Sequence, residues 1–222
     1  TSGNQKILKG EKLGYITKGI HLAPANLAGY EVCRWRSKGC TASCLNTAGR
    51  GQMNSVQQSR IAKTKLFFEQ KIDFFNKLSK EIASNIKSSL KKEMQAVFRL
   101  NLTSDISWEN EVNEDGVTIF DKFPETQFYD YTKSFQRMAQ SLGKHNDFPK
   151  NYHLTFSRSE HNDSLCQMVL ELCGNVAVVF RNQLPKTWKV YEVINGDETD
   201  LRFLDKKGVV VGLIEKGMAK KD

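Results

Sequence analysis

No run of apolar residues in the 222-residue chain approaches the roughly 20 needed to cross a bilayer. The N-terminal TSGNQKILKG also lacks the apolar centre of a signal peptide. A soluble, intracellular protein is therefore expected, with a cytoplasmic location. Missing as well are a Walker loop, a dinucleotide-binding glycine fingerprint, a serine-nucleophile elbow and a zinc-protease helix, which removes several common enzyme classes. There is no low-complexity tract, internal repeat or proline-rich linker, so one domain covering residues 1–222 is the expectation. Cysteine is scarce and odd in number, five in all. A reducing cytosol keeps such residues as thiols, so metal or cluster chemistry explains a thiol group better than disulfides do.

What the chain does have is enough apolar material for a packed core: 39% hydrophobic residues, with 13 Phe, 6 Tyr and 3 Trp. Its formal charge is +8, from 33 Lys plus Arg against 25 Asp plus Glu. That charge permits phosphate-bearing partners, nucleic acid among them, without demanding one. Lysines in KTKLFFEQKIDFFNKLSK are spread as on a solvated helix face, the plainer explanation.

From about residue 52 the pattern is regular. Ile61, Phe68, Ile72, Phe75, Leu78, Ile82 and Ile86 recur at three and four, apart from one gap of seven, and predict one helical face across Val56 to Leu90. QAVFRLNL, TQFYDYT, NYHLTFS, VAVVF and GVVVGLI read as strands, the fully apolar VAVVF as one covered on both faces. KSFQRMAQSLGK and DSLCQMVLELCG read as intervening helices ending at Gly143 and Gly174. GYITKGIHLA is the best first strand, and NGDETD reads as an exposed turn. Strands recurring with helices between them imply a parallel sheet with right-handed crossovers. The fold class is therefore α/β: a partial (βα) barrel or an open parallel sheet of about six strands, helices outside.

The chemistry-bearing stretch is CRWRSKGCTASCLNTAGRG, which follows the first strand and spaces its thiols as Cys33, six residues, Cys40, three residues, Cys44. Thiolates are soft ligands for zinc or for iron in iron–sulfur clusters, and a loop lets several converge without breaking secondary structure. Three is the informative number. A closed zinc site takes four protein ligands and must recruit His21, Cys166, Cys173 or a distant His, whereas a [4Fe-4S] cluster held by three cysteines leaves one iron open. Three ordinary loop thiols are the remaining alternative. Cys166 and Cys173 are read as packing residues on one helix face.

Ligands of parallel α/β sheets bind at the carboxyl ends of the strands. On that rim the candidates for cofactor contact are Asn101, Ser104 and Asp105, and those for the substrate space are Asp130, Tyr131 and Ser157. Asp130 is singled out because a carboxylate inside a strand pattern is expensive unless it meets a cation, a donor or a ligand. TAGRG before a helix could present N–H groups and Arg50 to an anion, or pack the cysteine loop. RSEH reads as a surface ion-pair cluster and His153 as a satisfied core histidine.

The order of a cysteine loop after the first strand of a partial barrel resembles the radical S-adenosylmethionine superfamily, which implies a [4Fe-4S] cluster, S-adenosylmethionine bound at its open iron, and radical chemistry. That superfamily spaces its cysteines three then two, against six then three here. The chain also resembles a phage protein family, gene product eighty-eight, through GCTASCLNTAGRG, SRIAKTKLFF, RLNLTSDISWE, FYDYTK, YHLTFSRSE and NVAVVF. This second resemblance implies a phage origin and a bacterial host cytoplasm. The alternative to an iron–sulfur enzyme is a non-enzymatic nucleic-acid-binding or host-interaction protein with a structural zinc loop, in keeping with the basic tail EKGMAKKD.

Overall fold

The computed structural model describes residues 9–47, 49–143 and 148–215. One sheet takes eight strands: β1 Tyr15–Gly19, β2 Gln95–Arg99, β3 Phe128–Thr132, β4 Tyr152–Ser157, β5 Val176–Phe180, β6 Thr187–Trp188, β7 Tyr191–Asn195 and β8 Val210–Ile214. Their order across the sheet is β1-β2-β3-β4-β5-β8-β7-β6. Neighbours from β1 to β7 are parallel, and only β6 and β7 pair antiparallel, Thr187 opposite Glu192. The α/β expectation holds in its open-sheet form. The two further strands are the hairpin β6–β7, whose half-exposed residues carry no buried-strand signature.

Seven α-helices of four or more residues are described: α1 Ala25–Ala28, α2 Lys38–Ala42, α3 Asn54–Glu69, α4 Lys71–Leu90, α5 Ile119–Lys122, α6 Phe135–Leu142 and α7 Asp163–Glu171. The sheet steps from β1 to β5 always in one direction, so crossovers of one hand carry the helices to the same face. Phe98, Phe128, Leu154, Phe156, Val176, Val178 and Val210 point from the sheet into that layer. They meet Phe74, Phe75, Leu78 and Ile82 of α4, each side chain contributing about 1.5–3 kcal/mol on burial. The opposite face carries a small cluster of Val97, Tyr129 and Leu201, the last from a segment that lies over the sheet.

The expected single helical face over 56–90 is two helices. The chain breaks at Gln70, whose φ of −140° and ψ of 61° are not helical. The gap of seven in the apolar pattern falls within α3, which buries Arg60, Thr64 and Phe67 while Phe68 and Ile72 stay exposed. That helix does not pack as an outer layer. Thr64 accepts from the Ala23 backbone N–H after β1 at 2.8 Å, and Phe67 meets Trp108 beyond β2. It therefore lies against the carboxyl ends of the first two strands.

Three further expectations change. Cys166 is buried as expected, but α7 stops at Glu171 and Cys173, at φ 60°, is exposed. The turn 195–200 is not all exposed: Asp200 is buried and bonds Arg99 at 2.7 Å, because its loop covers the sheet. His153 is not a satisfied core histidine: its buried Nε2 has no hydrogen-bond partner among the described residues. His145 and residues 216–222 of the basic tail lie outside the described residues.

Candidate functional site on the carboxyl rim

The loop after β1 is stitched to the loop after β2. Leu102 N donates to the Ile20 carbonyl at 3.2 Å, Thr103 Oγ1 to that of Leu22 at 2.8 Å, and Asp105 N to that of Val32 at 2.7 Å. This zipper delivers Cys33 to the rim, its thiol directed at the Thr103 carbonyl at 3.9 Å. Ser37 caps the short α2 by accepting from Cys40 N at 3.1 Å. Gly39 N donates to Glu160 beyond β4 at 2.6 Å, and a side chain at Gly39 would collide with that carboxylate. Asn46 closes the loop, its carbonyl and Oδ1 accepting from Arg60 of α3 at 2.7 and 2.8 Å. Gly51 is buried against the Asn46 carbonyl, where a Cβ has no room, while Arg50 is exposed. TAGRG thus includes a packing turn.

Cys33, Cys40 and Cys44 are all half-buried on this loop. Burial pushes the Cys33 thiol up to about 12, with Asp105, Cys40 and Cys44 adding to the shift. A cationic group stands beside them. Arg60 interacts with Cys44, and His21 is lowered to about 4 by burial and then by Arg60, Lys63 and Arg99.

A tetrahedral zinc ion with bonds of about 2.3 Å would need sulfurs about 3.8 Å apart. Among the described residues no group of three His, Cys, Asp or Glu side chains is gathered so as to hold a metal ion. A cubane cluster asks for a wider triangle, since each thiolate binds a different iron. The residue types, three soft thiols with an adjacent guanidinium, are those an anionic cluster takes, but the thiols are not gathered about one point. His21, Cys166 and Cys173 do not complete a fourth zinc position.

The polar candidates after β2 and in β3 are brought together differently. Asn101 Oδ1 accepts from Ser104 Oγ, Ile106 N and Trp108 Nε1 at 2.7, 3.0 and 3.1 Å, and its Nδ2 donates to the Ile106 carbonyl at 2.9 Å. Asp105 accepts from Lys133 N at 2.8 Å and from Arg137 Nη1 at 2.6 Å. Arg137 also grips Glu109 through Nε and Nη2, at 2.6 and 2.9 Å, and donates to Tyr152 Oη at 3.1 Å. Tyr152 donates to Asp130 at 3.0 Å, and Asp130 accepts from Leu100 N and Asn101 N at 3.2 and 2.9 Å. Burial pushes Asp130 up to about 7 against the opposing pull of Arg99 and these donors. Asn101, Ser104, Asp105 and Asp130 are therefore one internal network that ties the ends of β2, β3 and β4 to α6.

Tyr131 and Ser157 face the other side of the sheet. The Arg99 guanidinium lies over the Tyr131 ring at 4.9 Å. Ser157 is half-buried at the end of β4, opposite Ala177, and its carbonyl accepts from Asn162 at 3.0 Å. In RSEH, Arg158 pairs with Asp163 at 2.6 Å as expected, and Glu160 serves the cysteine loop.

Sequence reasoning missed Arg137, Glu109 and Arg60. Nothing in a helical FQRM or SRIAK distinguishes a buried arginine from a solvated one.

A family model described as Gene product 88 matches residues 1–222, the whole chain. The chain belongs to that family. This bears out the family resemblance carried by GCTASCLNTAGRG and RLNLTSDISWE and places the chain among phage gene products. No curated protein and no solved structure matches it. No helix among the described residues of this Gene product 88 member is long and apolar enough to cross a membrane.

Proposed function

We propose that this Gene product 88 member is an iron–sulfur protein in which Cys33, Cys40 and Cys44 hold a [4Fe-4S] cluster with one iron open, the position S-adenosylmethionine would take. The observation that carries the reading is the placement of three half-buried thiols on a single loop after β1, on the carboxyl rim of a parallel sheet wound in one direction. Arg60 beside Cys44 offsets the negative charge of the thiolates. A cluster of this kind, when bound, supplies one electron to a sulfonium at the open iron. Asn101, Ser104, Asp105 and Asp130 position the loops around that point, since their acceptors are already engaged. Tyr131 and Ser157 line the substrate space on the face away from the helices.

The test is protein prepared without oxygen and assayed for iron, acid-labile sulfide and visible absorption, with S-adenosylmethionine added to the reduced sample and followed by electron paramagnetic resonance. Four irons and four sulfides per chain, lost in the Cys33→Ser, Cys40→Ser and Cys44→Ser variants, is the expected result. A colourless protein with one zinc per chain, or iron retained in the triple variant, overturns it. An unchanged resonance on adding S-adenosylmethionine removes that ligand and leaves the cluster.

A further inference from the structure

Between Val32 and Phe68 the chain carries seven cations and not one carboxylate. With a net charge of +8 overall, the remaining 185 residues are close to neutral. The segment is the whole thiol-bearing rim: the loop after β1, α2, and α3 lying against the strand ends. Arg34, Lys38 and Arg50 are exposed and have no carboxylate within ion-pair distance among the described residues. The nearby acids are already engaged. Glu31 pairs with Arg36, Glu69 accepts from Tyr30, and Glu160 accepts from Gly39.

Interleaved with these cations are large apolar side chains that the fold leaves uncovered. Trp35 lies between Arg34 and Arg36 and is 39% exposed, while Leu45 and Met53, on either side of Arg50, are 58% and 54% exposed. An unpaired basic surface attracts phosphates, and an exposed indole among the cations offers a face on which an unstacked base can lie. The helix beside Arg34, Trp35 and Lys38, α2, is only five residues long, too short to fill a duplex groove, and α3 lies against the strand ends.

We propose that the rim segment 32–68 is a binding surface for single-stranded nucleic acid, with Arg34, Lys38 and Arg50 on the phosphates and Trp35 stacked on a base. The strand crosses the mouth above the three thiols. The charge of the surface and its exposed indole carry the inference, and it holds whether or not a cluster occupies the loop.

The experiment is fluorescence anisotropy of the full chain with labelled oligothymidylate across a salt series, repeated with labelled oligouridylate, with a duplex of the same length and with anionic phospholipid vesicles. Three phosphate contacts give a slope of log affinity against log salt of about −2 for a single strand. The Arg34→Glu/Arg50→Glu variant weakens binding at least tenfold and flattens that slope. A Lys91→Glu/Lys92→Glu variant at the far end of α4 carries the same charge change and stays within twofold of the parent. Trp35→Ala weakens binding of the single strand by about fivefold or more, as loss of one stacked base requires. Equal losses in the two double variants, tighter binding of duplex than of single strand, or binding to vesicles alone each overturn the proposal. Circular dichroism of every variant separates these outcomes from failure to fold.

Discussion

Two parts of the same rim differ in what their polar groups have left to offer. On the side of β2, β3 and β4, Asn101, Asp105, Glu109, Asp130, Arg137 and Tyr152 satisfy one another almost completely. On the β1 side, three half-buried thiols form no disulfide, and Arg34, Lys38 and Arg50 are exposed with no ion pair among the described residues. Residue types that read as equally chemical in a sequence are thus divided into a lock and an open surface. A closed network fixes the strand ends, and against that frame the thiol loop is held by bonds that include Asp105 N to the Val32 carbonyl, Gly39 N to Glu160 and Arg60 to Asn46.

The largest effect that would sharpen this contrast is expected at Arg137. Arg137→Met strands the buried carboxylates of Asp105 and Glu109, a loss of about 3–5 kcal/mol measurable by urea unfolding. A loss below about 1 kcal/mol would break the idea of a lock. Next comes Asp130→Ala, which leaves the N–H groups of Leu100 and Asn101 and the Tyr152 hydroxyl without their acceptor. The expected cost is about 2–3 kcal/mol, smaller than at Arg137 because the carboxyl is already pushed toward its neutral form.

Asp130 also gives the lock a pH signature. Its folded pKa of about 7 lies above the unfolded value of 3.8, so the folded chain holds the extra proton between them. Stability from this group is present in acid and falls as pH rises from about 4 to about 7. His21 and His153, each lowered to about 4 from 6.5, act in the opposite sense and lose stability as pH falls through that window. Asp130→Asn therefore gains on the parent as pH rises from 4 to 7. Parallel stability curves for the two proteins would show that Asp130 titrates normally.

The smallest expected change in stability is at the thiols. Without metal, Cys40→Ser/Cys44→Ser should alter the unfolding free energy by about 0.5 kcal/mol or less, and, on the proposed reading, the same variant loses iron. A large loss of stability in the metal-free protein would instead place the thiols in the lock.

The α/β class, the parallel sheet, six of its strands and the run of the cysteine loop after the first were legible because each leaves a periodic or compositional trace. Phe75, Leu78 and Ile82 recur at helical spacing, and VAVVF is apolar throughout, since a strand covered on both faces excludes polar side chains. The hairpin Thr187–Asn195 left no such trace because it borders the sheet and is half-exposed. At the site, the three thiols were visible as a group. The commitment of Asp105 and Asp130 was not, since their partners Arg137 and Tyr152 come from other elements.

By itself the sequence determined which segments become strands and helices, and that one short segment carries three thiols and an unopposed positive charge. Those are properties of neighbours along the chain. Only the tertiary structure decided that Asn101, Ser104, Asp105 and Asp130 spend their hydrogen bonds internally while Arg34, Lys38 and Arg50 stay exposed with no ion pair among the described residues. A hydrogen bond or ion pair depends on distance and burial between residues far apart in the chain, and side-chain chemistry alone cannot specify either.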